Sequence, residues 1–376
     1  VIARPPSTPS AGRLAVAVAV AAIVVGGAPV AGMARSRLQQ RLGPRFSLVL
    51  TAAVVGLAGL GLLRGAVAAR PFTSARLAAL GGALGVAAAW VAWMGQTDPA
   101  IRAVELVHFL EYGLITAAFH RVWRDRDPVT AVALPGLSAG LAGVAEEWWQ
   151  WFLPARVGEI KDVALNAVAI GCALVVLRAF APPPAGHAPR AAWAPARRLA
   201  AVVVVALAAF VHTVHLGVRV VDGPRAFDSR FTPAELDRAA AARARAWAGA
   251  PPLVRPDRLS REDQYATEGL QHVQARNQAW AAGDAATAWH ENLVLERFFA
   301  PVLDTPSYVS KTGHRWSPGQ RAEAAGRAAA GTGAPFVSAA FPYPLWRLPA
   351  PAVWASAAIV ALALWPWRAG RPGVSP

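Results

Sequence analysis

Eight stretches of the chain are apolar over roughly the 20 residues that carry a helix across a bilayer. They fall at about 14–32, 46–63, 77–94, 103–123, 129–153, 160–180, 199–221 and 348–367. The second, third and seventh contain the uncharged runs Phe46–Leu63, Leu77–Met94 and Leu199–Phe210. The fourth, fifth and sixth each carry ionisable residues, which are costly in hydrocarbon and need a reason to be there. The first has two readings. Arg13, the apolar stretch after it and the small-residue segment Ala28–Ala34 suit a signal peptide with a cleavage site, and equally a first span.

Between the last two runs the pattern changes to short polar-apolar stretches with helix-start signals. Thr232-Pro233-Ala234-Glu235 reads as a capping box with proline at the first helical position, and Ser317-Pro318-Gly319-Gln320 repeats it. Ser260 precedes a second helix ending near Gly283, and Asp284 opens a third over Ala285–Phe299. Segments 250–256 and 301–316 read as Pro/Gly loops, and 181–195 as a linker. The prediction is an all-α chain: a polytopic transmembrane helix bundle of about eight spans with a small extracytoplasmic helical domain. Its parts are N-terminal spans over 1–71, a four-helix membrane unit over 72–182, a linker and seventh span over 183–221, the helical domain over 222–345, and a last span with a short cytoplasmic tail over 346–376.

Composition agrees with this division. Hydrophobic residues make up 55% and charged residues 16%, against about 25% charged in a soluble domain. The single cysteine, Cys172, excludes an intramolecular disulfide, CxxC zinc sites and CxxCH haem attachment. The net charge of +15 comes almost entirely from arginine. These arginines flank apolar runs, which points to membrane topology rather than nucleic acid. With the loop 95–102 placed outside, the short cytoplasmic segments hold 14 Arg/Lys and the short outer loops 7. Only the loop 33–45, with four arginines, runs against that orientation. The segment 222–345, with 14 basic and 13 acidic residues, is close to neutral.

The candidate chemistry sits in runs four to six. Glu105, His108 and Tyr112 share one helical face in run four, with Glu111 beside them. Glu146 and Glu147 each reach Gln150 across one turn near the end of run five, and Asp162 and Asn166 are one turn apart at the start of run six. Runs four and five, and five and six, pass in opposite directions, so the start of four, the end of five and the start of six meet at one membrane face. His108, Tyr112, Glu147, Gln150, Arg156, Asp162 and Asn166 are therefore the candidate polar site, with Glu105, Glu111 and Glu146 as further members. Trp148, Trp149 and Trp151 suit the interfacial belt at that face. Gly136, Gly140 and Gly143 permit close helix packing in run five.

The combination H-x-x-x-Y at His108 and Tyr112, E-x-x-Q-x-F-x-P-x-R at Glu147, Gln150, Phe152, Pro154 and Arg156, and D-x-x-x-N at Asp162 and Asn166 resembles the VanZ-like membrane proteins, over about residues 72–182. The chain departs from that pattern in having Val104 and Glu105 where an Asp-Lys pair usually precedes the histidine, Glu146 in place of Asp, Ala155 in place of Gly, and Ala169 where a Gly often follows. The resemblance implies a multi-pass protein of the bacterial cytoplasmic membrane and cell envelope, associated in some members with glycopeptide tolerance. It carries no catalytic residue and no cofactor with it.

Two classes of function follow. In one, the polar site binds or acts on a lipid-linked or cell-wall component, with His108 as base or ligand, Glu147 and Asp162 as acids, and Arg156 gripping a phosphate or carboxylate. In the other, the same residues join helices by hydrogen bonds, and the chain is a scaffold whose 222–345 domain meets a protein partner. No metal is expected, since no H-E-x-x-H spacing occurs. A transporter is less well supported, because no paired repeat is present.

Overall fold

A computed structural model describes residues 10–69, 73–94, 98–153, 156–181, 193–247, 258–306, 310–329 and 335–365. Pro154, most of the 181–195 linker and the 250–256 loop lie outside the described residues. The chain divides into two units. One takes in 1–149, 160–210 and 354–376, the other 150–159 and 211–353.

Each of the eight apolar runs forms a helix: α1 (Ala11–Leu42), α2 (Phe46–Ala68), α3 (Ser74–Met94), α4 (Pro99–Trp123), α5 (Thr130–Phe152), α6 (Ile160–Phe180), α7 (Trp193–Val214) and, near the C-terminus, α13 (Ala350–Leu364). Four described stretches are long and apolar enough to cross a membrane, Ala11–Ala68, Ser74–Trp93, Ile160–Phe180 and Trp193–Val214, and they fit a membrane protein. α4 and α5 have 25 and 23 residues but carry the ionisable groups, and α13 is apolar with 15. Asp98 caps α4 by accepting from the Ala100 N–H at 2.8 Å, with Pro99 at the first helical position.

Inside the first unit α4 is central. Its Tyr112, Ile115, Phe119 and Val122 pack with Ala17 of α1, Ala139 of α5, and Ala169 and Ile170 of α6. The outward faces of α2 and α3 carry Leu48, Val55, Leu57, Leu63, Leu77, Leu84 and Val86. So much contiguous apolar surface is what a lipid-facing helix presents and a water-facing one avoids. Arg13 of α1 bonds the Arg121 carbonyl and Asp125 at the far end of α4.

The second unit is mostly helical: α8 (Pro233–Trp247), α9 (Arg261–Ala281), α10 (Ala285–Phe298), the short α11 (Ala300–Asp304) and α12 (Pro318–Ala329). The predicted starts are made as the sequence implies. The Thr232 hydroxyl accepts from the Glu235 N–H while the Glu235 carboxylate accepts from the Thr232 N–H. Ser260 and Asp263 form the same reciprocal box on α9, Asp284 accepts from Thr287, and Ser317 from Gln320.

Three strands are an addition to the helical expectation. β1 (Val218–Asp222) and β2 (Arg225–Ser229) form an antiparallel hairpin, and β3 (Phe336–Val337) joins β2 in parallel. The seventh apolar run therefore ends as helix at Val214, and its last residues begin the sheet. The cause is local. Val218 and Val220 alternate with polar or exposed positions, and Gly223, at φ +58, supplies the left-handed turn residue before Pro224. Val220 and Phe227 of the hairpin pack with Phe231, Leu236, Tyr265, Val273, Leu295, Phe298, Phe299 and Val302 as the core of the unit.

Candidate functional site

A group of ionisable residues in the first unit lines a seam between α4, α5 and α6. Glu105, His108 and Tyr112 lie on one side of α4 because they are three and four residues apart. His108 Nδ1 lies 2.8 Å from Asn166 Oδ1 on α6. An amide oxygen only accepts, so Nδ1 carries a proton and donates it. Tyr112 donates its hydroxyl proton to Glu146 of α5 at 2.5 Å, and its ring stacks parallel to His108 with centroids 6.4 Å apart. Lys161 at the start of α6 pairs with Glu105 at 2.9 Å, both side chains largely buried.

Gly143 explains how α5 comes close enough. A Cβ there would stand 3.2 Å from the Tyr112 ring and 3.3 Å from Asn166. Gly136 similarly faces Leu174 at 3.0 Å, whereas Gly140 faces nothing within 4 Å. Glu147 is fully buried, and both it and Glu111 lie within electrostatic reach of Tyr112. Asp162 is half-buried in the first turn of α6, where the helix dipole favours a negative charge. The seam thus holds one histidine bonded through Nδ1, one lysine already paired, and several carboxyl groups. Such a set can bind hydrogen-bond donors or exchange protons.

Gln150 and Arg156 belong to the second unit, and there Arg156 Nη2 donates to Gln150 Oε1 at 2.5 Å. Trp151 between them is fully buried. Its indole N–H donates to Tyr343 at 2.7 Å, and the guanidinium groups of Arg230 and Arg258 lie 4.6 and 5.5 Å from its ring. Arg258 also donates to the carbonyl oxygens of Trp151 and Arg156, at 2.5 and 3.1 Å. A tryptophan with its N–H bonded and cations over its ring has no need of a headgroup layer.

Sequence reasoning missed Lys161 as a partner for Glu105, and missed Arg230, Arg258 and Tyr343 altogether. The lysine had a signal, being one of only two in the chain. The other three are more than 70 residues from Trp151 in sequence and had none. His215 bonds the Pro344 carbonyl through Nδ1 at 3.0 Å and stacks on Trp346 in the second unit.

No family model, no curated protein and no solved structure matches the chain.

Proposed function

We propose that the chain is a VanZ-like multi-pass protein of the bacterial cytoplasmic membrane, and that its α4–α5–α6 seam binds a lipid-linked or cell-wall component, with glycopeptide tolerance as the envelope trait to measure. The observation that carries this reading is the meeting of ionisable side chains from three apolar helices: Glu105 with Lys161, His108 with Asn166, and Tyr112 with Glu146. A charged group in a bilayer costs about 2.5–3.5 kcal/mol on insertion scales, so its presence there calls for a function. Lys161 also supports the resemblance, because it supplies from α6 the cation that the family pattern usually carries just before the histidine.

A scaffold is the second reading. It is favoured by the same contacts, since His108, Tyr112 and Lys161 each already have a protein partner, as helix-joining residues would.

His108→Gln and Glu147→Gln, made separately, distinguish the two. Each keeps the size and a hydrogen-bonding amide but removes the titratable group. Interhelical hydrogen bonds in membranes average about 0.6 kcal/mol, so either variant should insert and fold at wild-type levels. A binding or proton-transfer site loses its function in both variants, measured as teicoplanin tolerance of a host that depends on the protein. Unchanged tolerance at unchanged protein level would leave the scaffold.

A further inference from the structure

The surroundings of Trp151 in the second unit contain a small cavity that the polar seam does not use. Trp151, Arg230, Arg258, Glu268, Gln271 and Tyr343 line it, and its volume is about 10 Å³. That is close to the room one water occupies. Three of these residues each hold a polar atom shut off from solvent without a hydrogen-bond partner from the protein: Arg230 Nε, Glu268 Oε1 and Gln271 Oε1. Leaving such atoms unbonded is costly, and most costly for charged groups. Glu268 is 3% exposed, and its other oxygen accepts from the Arg230 backbone N–H at 3.3 Å. Tyr343 accepts from the Trp151 indole, which keeps its own hydroxyl proton available for donation.

The chemistry of this set selects its occupant. Arg230 Nε–H and the Tyr343 hydroxyl are donors, while the carboxylate of Glu268 and the amide oxygen of Gln271 are acceptors. An anion would satisfy the donors and face two oxygens. A cation would satisfy the acceptors and face a guanidinium. A water offers two protons and two lone pairs. We propose that this cavity is a specific site for one water molecule, which accepts from Arg230 and Tyr343 and donates to Glu268 and Gln271. The water bridges the Arg230 guanidinium and the Glu268 carboxyl group beside the Trp151 ring. Through Tyr343, which bonds Trp151, and together with Arg258, which bonds the Trp151 and Arg156 carbonyls, it links these residues to α9. The site holds whether or not the seam in the first unit binds a ligand.

An experimental structure of the full chain in detergent, at a resolution that shows ordered water, tests this directly. The expected result is a single peak within about 3.2 Å of Arg230 Nε, Glu268 Oε1 and Gln271 Oε1. An empty cavity, or direct Arg230 Nε–Glu268 contact that closes it, overturns the proposal. The identity of the occupant is tested by soaking with bromide and by melting the protein in chloride, phosphate and gluconate at equal ionic strength. Water predicts no anomalous peak in the cavity and no anion-specific shift that depends on Arg230. A bromide peak there, or a stabilisation by one anion that Arg230→Gln abolishes, would assign an anion and overturn it equally.

Discussion

At the scale of residues, the second unit is set against protonation. Burial is the main cause that lowers the pKa of His215, His290 and His314 below the ordinary 6.5; Arg225 adds to it at His290 and Arg276 at His314, while the Pro344 carbonyl partly offsets it at His215. A histidine with a depressed folded pKa binds fewer protons folded than unfolded. Its stabilisation is complete above pH 6.5 and is lost as pH falls towards the folded value. Glu268 acts with the opposite sign. Burial raises its pKa above the ordinary 4.5, so its contribution is lost as pH rises from there. The histidine effect is therefore read as a difference between variants. His215→Asn keeps a donor for the Pro344 carbonyl and removes the titration. Its melting temperature should fall less than that of the wild type between pH 7.5 and 5.5. Parallel pH profiles for the two proteins would rule out His215 as a contributor.

At the scale of elements, the approach of α5 to α4 and α6 depends on Gly143. An alanine there needs Tyr112 and Asn166 to give by a few tenths of an ångström, and both are held by hydrogen bonds. Overpacking of this kind costs about 1–3 kcal/mol. Gly140 faces open space one turn earlier, and alanine there gains helix propensity of about 1 kcal/mol. Gly143→Ala should lower the thermal stability of the purified membrane protein, while Gly140→Ala leaves it equal or higher. Equal melting of Gly143→Ala and wild type would mean that the seam yields easily, and that the Tyr112–Glu146 contact is not held by helix spacing.

At the scale of the whole molecule, the distribution of arginines makes a prediction about the sides of the membrane. Short loops on one side carry 14 Arg/Lys and those on the other 7. The bias predicts residues 222–345 outside the cytoplasm and the C-terminus inside, with α13 as the last crossing. Reporter fusions after Ala285 and after Arg371 measure this. Alkaline phosphatase should be active at the first site and inactive at the second. A cytoplasm-active reporter working at Ala285 would reverse the orientation and move the seam from the outer face to the inner one.

The sequence by itself determined the elements whose causes are local. Apolar length made the eight helices, and capping residues such as Thr232, Ser260 and Asp284 set the starts of α8, α9 and α10, because a cap needs only the next three residues. The hairpin at Gly223 was equally local, but its alternating valines followed directly on an apolar helix and read as the helix's last turns. Tertiary structure decided which polar groups meet. Glu146 and Glu147 are adjacent in sequence yet about 100° apart around α5, and only the rotation of that helix, held by Gly143 against Tyr112 and Asn166, gives the tyrosine to Glu146. Glu105 finds Lys161 56 residues away, and Trp151 finds Tyr343 192 residues away. Spacing along a chain fixes the face of a helix on which a side chain lies. The partner across from that face depends on how separate helices rotate and slide to fill space, and no stretch of sequence holds that alone.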